Sequence, residues 1–238
     1  MRTEFSRLDM LLDSSSIEKI SAAKIIVFGV GGVGSYAVEA LSRCGVCRLD
    51  LVDSDTVSET NINRQIIALH STIGRYKVEV AKERILDISP TTSVDTYNLF
   101  YDESTKELID LSKYDYIIDA IDSMNSKVLL VKEAKRLSVP IISALSTGNK
   151  LDITKFRVSD IFDTSVCPIA KIMRKKLRDE GVDSLKVIFS SEMPITPNQD
   201  FAIDEIKRTV GSVSFVPSAV GLMLASEVVR DIVNWEKK

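Results

Sequence analysis

A glycine cluster and the acidic residue that follows it are the part of this sequence best suited to chemistry. The motif Gly29-Val-Gly31-Gly32-Val-Gly34 comes directly after an apolar run, and glycines at this spacing let a backbone approach a phosphate at the amino end of a helix. Asp53 ends the next apolar run, where a carboxylate can accept hydrogen bonds from ribose hydroxyls. The pattern predicts a nucleotide site. A dinucleotide dehydrogenase would look the same to this point, and a tight strand-to-helix turn without a ligand is the simpler alternative.

The segment after Asp53 adds fixed cations and amides. Nicotinamide binding has no use for them beyond the ribose, whereas a triphosphate does, because roughly three to four negative charges must be held while one phosphorus is attacked. We therefore expect ATP to be bound here, with Arg64 and Lys77 as catalytic cations. A solvated polar loop is the alternative. The side chains concerned are Asp55, Asn61, Arg64, Gln65 and Lys77.

A carboxylate at the end of a later apolar run suits a metal ion. The segment Asp119-Ala-Ile-Asp122 ends what we predict to be a strand, which puts Asp122 at the carboxyl edge of the sheet. A Mg²⁺ ion carried by phosphates takes carboxylate ligands, so Asp122 is the predicted metal ligand and a catalytic residue. The alternative is that Asp122 caps a helix starting at Ser123.

Short apolar runs alternate with amphipathic stretches over the first part of the chain. This alternation is typical of a parallel sheet with helical crossovers, and it predicts an α/β fold: a doubly wound, Rossmann-like, mostly parallel sheet with a carboxyl-terminal embellishment. Crossover helices are expected between the strands, including one over 128–137. The predicted strands are 24–29, 48–53, 93–98, 114–120 and 139–145.

The regular alternation stops near residue 146. We expect a nucleotide-binding adenylating domain over 1–145, and over 146–238 a substrate-binding embellishment with a closing helix, within the same compact unit. Pro194 and Pro197 interrupt this second part. Its predicted elements are strands at 151–158 and 185–190 and helices at 168–180 and 218–233.

Composition excludes several classes of protein. The chain has 238 residues and a formal net charge of −3, which excludes a histone-like polycation. Three cysteines are too few for a disulfide scaffold, and charges at the amino end interrupt any secretion signal, so a cytoplasmic protein is expected. The longest uncharged run, 209–226, contains glycine, proline and serines and predicts a buried helix, with no integral membrane span.

Five motifs in order resemble a known superfamily. G-V-G-G-V-G, D-S-D-x-V, N-x-N-R-Q, G-R-x-K and D-A-I-D are similar to the adenylating domain of the ubiquitin-activating-enzyme superfamily, which includes the ThiF and MoeB enzymes, over residues 5–145. That resemblance implies adenylation of a carboxylate with ATP and Mg²⁺. It implies that Gly31 and Gly32 contact phosphates, Asp53 the ribose and Asp122 the metal. It also implies that Asn61, Arg64 and Lys77 hold the triphosphate.

The same resemblance implies an amino-terminal arginine lent to the active site of a neighbouring subunit. Arg7 is the matching residue, and its sharing requires a homodimer. A free surface arginine is the alternative. Superfamily members with zinc use two C-x-x-C pairs, whereas this chain has only Cys44 and Cys47 at that spacing, with Cys167 far away, so no zinc is expected.

Segments outside the adenylating motifs resemble one branch of the superfamily. Residues 5–7, 143–154, 164–174 and 211–218 are similar to the tRNA threonylcarbamoyladenosine dehydratase branch, TcdA or CsdL. This resemblance implies ATP-dependent cyclisation of a threonyl carboxylate in tRNA, with release of AMP and pyrophosphate. Adenylation of the carboxyl terminus of a ubiquitin-like sulfur-carrier protein is the alternative. The sequence leaves open a sulfur-transfer partner, a monovalent cation and a function for Cys167.

A strongly basic helix is expected in the second part of the chain. Such a density of cations is typical of contacts with RNA phosphates, and tRNA is the predicted partner. The alternative is a solvated helix face. The predicted tRNA-binding residues are Lys171, Arg174, Lys175, Lys176 and Arg178.

Overall fold

One mixed sheet joins both parts of the chain. The computed structural model describes residues 4–196 and 210–235. Residues 197–209 and 236–238 of the expected embellishment therefore lie outside the described residues, as do residues 1–3.

The described residues form seven strands and seven α-helices. The strand order is β3-β2-β1-β4-β5-β7-β6, with every pairing parallel except that of β6 with β7. The expected doubly wound α/β fold is confirmed. The strands are β1 Lys24–Phe28, β2 Arg48–Val52, β3 Thr96–Tyr97, β4 Tyr116–Asp119, β5 Ile141–Ala144, β6 Phe156–Asp160 and β7 Lys186–Ser190. The helices are α1 Ser6–Asp9, α2 Ser14–Ala22, α3 Gly34–Arg43, α4 Lys77–Ile88, α5 Met124–Arg136, α6 Pro168–Asp179 and α7 Phe215–Ile232.

Helices cover both faces of the sheet, so its central strands are apolar on both sides. In β1, Ile25 and Val27 pack into a core shared with α2, α3, α4 and α7. Ile26 and Phe28 point to the opposite core, which is shared with α5 and α6. This double burial fixes the ends of the strands, and hence the loops that follow them.

The second part of the chain extends the sheet, and its last helix packs against α3. β7 pairs with β5, and β6 forms the edge. Helix α7 packs against α3 at Gly221, where a Cβ atom would lie 2.3 Å from the carbonyl oxygen of Val33. Only glycine permits this approach, which brings the start of α7 to the end of β1.

Several predicted boundaries were wrong. The helix expected over 128–137 begins four residues earlier, at Met124, because Ser123 caps it. The strand expected at 151–158 begins at Phe156, because Asp152 accepts a hydrogen bond from the Thr154 amide (2.9 Å) and forms a 3-10 turn instead. The strand expected at 93–98 is limited to β3. The closing helix begins three residues before Ser218, because Pro217 is tolerated in a first turn, where amides lack intrahelical partners.

The uncharged run at 209–226 contributes the start of α7, which buries Val216, Val220 and Leu224 against the core. Residues 4–196 and 210–235 include no helix with both the length and the hydropathy that a membrane span requires.

Candidate active site

A cavity of about 490 Å³ lies at the carboxyl ends of β1, β2 and β4. Ligands of doubly wound folds bind at this edge, because the loops that follow parallel strands converge there. All the predicted nucleotide-binding residues except Gly34 line it, namely Gly29, Gly31, Gly32, Asp53, Asp55, Asn61, Arg64, Gln65, Lys77 and Asp122.

The glycine turn forms the floor of the cavity. Gly29 has a φ of +87°, and a Cβ atom there would lie 2.5 Å from the carbonyl oxygen of Ala120. Gly34 lies behind the turn, where a Cβ atom would lie 1.8 Å from the Gly29 carbonyl oxygen. Gly34 thus allows α3 to start close to β1, whereas Gly31 and Gly32 present backbone to the cavity.

Asp53 is fixed by two backbone donors at the end of β2. Its Oδ2 accepts a hydrogen bond from the Val30 amide (2.7 Å) and its Oδ1 one from the Asp55 amide (2.9 Å). Burial raises the pKa of the Asp53 carboxyl, and the nearby Lys77 ammonium partly opposes that rise. The carboxylate is therefore oriented before any ligand arrives.

Lys77, the first residue of α4, is only 6% exposed. Its Nζ donates to Asp55 Oδ2 (2.6 Å) and lies 3.9 Å from Asp53 Oδ1. Because a buried ammonium is costly without a counter-charge, these carboxylates stabilise a cation that faces the cavity.

The loop between β2 and α4 carries the second cation and two amides. Arg64 is half-buried, its Nη1 donates to the Thr60 carbonyl (2.9 Å), and its Cγ would lie 3.4 Å from a Cβ atom on Gly32. Gln65 is 5% exposed, and its Oε1 has no hydrogen-bond partner in the described part of the chain. The Asn61 side chain accepts from the Ser58 amide (3.1 Å). Arg64 and Gln65 therefore lie over the glycine turn.

Asp122 is exposed on the cavity wall. The alternative that it caps α5 was wrong, since Ser123 is the cap and accepts from the Ser126 amide (3.4 Å). Within the described residues, the Asp122 carboxylate has no hydrogen bond or ion pair, which leaves it free for a metal ion.

Sequence reasoning missed an apolar wall and three residues from the second part of the chain. Phe28 and Tyr101 stack edge-to-face with ring centroids 4.9 Å apart, and Leu99 and Phe100 lie beside them. Such a wall suits a planar base. The residues from the second part that line the cavity are Thr147, Ser212 and Pro217. All three lie within the segments 143–154 and 211–218 that resemble the dehydratase branch, but the spacing of residues there does not indicate a place in the cavity. Long-range packing of the sheet and of α7 brings them here.

Arg7 does not line the cavity. It is exposed on α1, and the neighbouring Phe5 packs at Gly45, beyond the far end of α3 from the cavity. The ten residues of α3 span about 15 Å, so Arg7 is remote from the cavity of its own chain.

The cations of α6 are not equivalent. Arg174 is half-buried and donates to the Thr164 carbonyl (3.0 Å), and Lys176 donates to Asn125 Oδ1 (3.1 Å). Arg178 lies over the Phe162 ring, 5.0 Å from its centroid. Lys171 and Lys175 are exposed, and neither side chain has a partner among the described residues.

Comparison with known proteins fits this arrangement. The sequence profile of the ThiF family matches residues 5–238. The chain belongs to the ThiF family. A Bacillus subtilis (strain 168) relative, the tRNA threonylcarbamoyladenosine dehydratase, is 42% identical, and the alignment covers 98% of this chain and 96% of that protein.

Solved structures of ThiF-family proteins show the same architecture. Escherichia coli TcdA, a tRNA N6-threonylcarbamoyladenosine dehydratase, in complex with AMP superposes with a TM-score of 0.89 at 31% identity, covering 97% of this chain and 94% of that one. Its complex with ATP gives a TM-score of 0.86 at 29% identity over the same shares. The predicted superfamily and branch are therefore confirmed.

Proposed function

We propose that this ThiF-family protein is an ATP-dependent dehydratase of threonylcarbamoyladenosine in tRNA. The observation that carries the proposal is the meeting of Arg64, Lys77 and Asp122 over one glycine turn. The near-complete alignment with a dehydratase supports the choice of substrate, since it includes the second part of the chain.

The chemistry explains why cations dominate the site. A carboxylate cannot expel hydroxide, so the threonyl carboxylate first attacks the α-phosphorus of ATP, and pyrophosphate leaves. The carbamoyl nitrogen then attacks the acyl carbon, the bond to AMP breaks, a proton is lost and a ring closes. Because both reactants of the first step are anions, Arg64 and Lys77 serve mainly to neutralise phosphate charge and align the attack. Little acid–base machinery is needed.

Asp122 would hold a Mg²⁺ ion that accompanies ATP. The described residues contain no cluster of three or more His, Cys, Asp or Glu side chains arranged for a metal, so other ligands would come from phosphates and water. The ion would supply positive charge to the phosphates. The free, exposed carboxylate of Asp122 fits this role.

The α6 surface would contact tRNA phosphates through Lys171 and Lys175. Their unpartnered ammonium groups are available, whereas Arg174, Lys176 and Arg178 already have partners within the chain. Lys176 also links α6 to Asn125, in the helix whose first turn lines the cavity, so tRNA on this face would lie near the nucleotide.

A homodimer would supply the remaining predicted catalytic residue. Arg7 lies too far from its own cavity, so it would reach the cavity of a second copy. Its exposure on α1 is compatible with that exchange.

Mass spectrometry of nucleosides tests the proposal. The protein is incubated with ATP, Mg²⁺ and tRNA that carries threonylcarbamoyladenosine, and the tRNA is digested. We expect the modified adenosine to lose one water while AMP accumulates. Unmodified tRNA and omission of ATP are the controls, and neither should yield the product.

An unchanged nucleoside from folded protein would contradict the proposal. ATP–pyrophosphate exchange that requires a ubiquitin-like carrier with a carboxyl-terminal glycine would favour the alternative, carrier adenylation.

A further inference from the structure

A buried ion pair lies beneath the segment 120–122, which lies between β4 and α5 and carries Asp122. Asp119 ends β4 with a fully buried side chain, and the side chain of Lys127, on α5, is 4% exposed. Lys127 Nζ donates to Asp119 Oδ1 over 2.9 Å. Neither residue lines the cavity.

This pair holds both polar groups of the Ile121 backbone. The Ile121 amide donates to Asp119 Oδ1 (3.1 Å), and Lys127 Nζ donates to the Ile121 carbonyl (3.0 Å). On the preceding residue, the Ala120 carbonyl lies against Gly29, where a side chain would collide with it. The backbone that leads to Asp122 is thus fixed on two sides.

Asp122 itself has no side-chain partner in the described residues that would orient it. Its position therefore depends on the backbone before it, which the ion pair holds. A buried ion pair contributes little net stability compared with apolar residues of similar size, because desolvation offsets the attraction. Stability alone thus gives no reason for charges at this place.

We propose that Asp119 and Lys127 are positioning residues that hold the Asp122 carboxylate where the Mg²⁺ carried by ATP binds. The proposal rests on the metal role of Asp122 given above. Partners behind a metal ligand typically change metal affinity by roughly ten- to a hundredfold when they are removed.

The test uses the charge-free double variant Asp119→Asn/Lys127→Met in the full chain. Mn²⁺, in place of Mg²⁺, is titrated into protein saturated with a non-hydrolysable ATP analogue and followed by electron paramagnetic resonance. We expect Mn²⁺ to bind roughly tenfold more weakly, while metal-free binding of the analogue stays the same. Lys127→Arg, which retains the pair, should bind Mn²⁺ nearly as the wild type does.

Two further variants make the result decisive. Lys135→Met is the matched control, because Lys135 lies exposed on the same helix and contacts Ser184 instead. If the double variant does not fold, the same Mn²⁺ titration is carried out on Lys127→Gln, which keeps an amide donor but removes the charge. The same weakening of Mn²⁺ binding is expected. Unchanged Mn²⁺ affinity in a folded variant would overturn the proposal, and so would an equal loss of metal-free analogue binding.

Asp122→Asn separates this inference from the proposed function. If Asp122→Asn weakens Mn²⁺ binding and the charge-free variant does not, only the positioning role fails. If Asp122→Asn has no effect, the metal role fails, and the positioning proposal fails with it.

Discussion

The cations of the cavity and the cations of α6 differ in what already holds them. Lys77 is buried against Asp55, and Arg64 is anchored to a backbone carbonyl above the glycine turn. On α6, Lys171 and Lys175 extend freely into solvent. Fixed cations can stabilise charge at one reacting atom, whereas free cations suit a long polyanion whose phosphates vary in position. Local charge density in the sequence does not distinguish these two uses.

Removing a fixed cation should have the largest effect. We expect Lys77→Ala or Arg64→Ala to reduce turnover on the order of a hundredfold or more, because phosphate charge in the transition state loses its partner. Steady-state AMP formation measures the loss, and circular dichroism checks the fold. Lys82→Ala, on the same helix as Lys77, is the control and should stay near the wild-type rate. Near-normal turnover in a folded Lys77 variant would show that the fixed cations of the cavity are not needed for catalysis.

Mixing two inactive variants tests whether Arg7 acts in the cavity of a second subunit. Arg7→Ala and Lys77→Ala proteins are each expected to be inactive alone. After denaturation and joint refolding of equal amounts, half of the dimers would be hybrid with one intact site each, which gives roughly a quarter of wild-type activity. Activity of the mixture is compared with that of each variant refolded alone. No recovery would count against sharing of Arg7.

Reversing the charge of the two exposed lysines on α6 should weaken tRNA binding more than it slows the reaction of bound tRNA. Lys171→Glu/Lys175→Glu should weaken tRNA binding and reduce the slope of log affinity against log salt by about one per lysine. Filter binding at several salt concentrations measures both quantities. Lys19→Glu/Lys24→Glu changes net charge equally at exposed sites on the opposite edge of the sheet and serves as the control. Equal weakening by both pairs would mean that α6 has no special role.

Removing the ion pairs of Glu39, which lie away from the cavity, should have the smallest effect of these changes. It should lower the free energy of unfolding and leave activity unchanged. Burial raises the pKa of Glu39 on α3, but hydrogen bonds from Arg84 and Arg43 outweigh burial and lower it below its usual 4.5. The stabilisation is therefore present above that value and is lost as pH falls through the lowered pKa. Glu39→Gln should lower the free energy of unfolding by about 1 kcal/mol at pH 7.

Urea denaturation of Glu39→Gln and wild type at pH 7 and at pH 3 measures this difference. The difference in the free energy of unfolding between the two proteins should be smaller at pH 3 than at pH 7. Turnover of Glu39→Gln at pH 7 should equal that of the wild type. A difference in unfolding free energy that is the same at both pH values would exclude the charge of Glu39 as its cause.

The sequence was most informative where a motif lies within one loop. The glycine turn, Asp53 and the loop that holds Arg64 could be located because their spacing is local. Boundaries set by side-chain caps were harder, as Asp152 shows, and α2 was not predicted although Asp13 caps it (2.7 Å to the Ser16 amide). Long-range packing alone brings Thr147 and Ser212 to the cavity.

The role of Lys127 was also beyond sequence reasoning. It follows Asp122 by five residues on an otherwise ordinary helix, and a lysine there reads as a solvated side chain. Only the structure shows that it turns inward to Asp119. The glycine turn and the charged and amide side chains that line the cavity could thus be predicted, whereas the ion pair behind them could not.

Isotope transfer tests the central claim, attack of an acyl oxygen on a clamped α-phosphorus, most directly. Threonylcarbamoyladenosine in tRNA is labelled with ¹⁸O in its carboxylate and incubated with ATP and Mg²⁺, and the released nucleotide and pyrophosphate are analysed by mass spectrometry. The account predicts one ¹⁸O atom in AMP and none in pyrophosphate. Release of ADP, with ¹⁸O in inorganic phosphate, would contradict it.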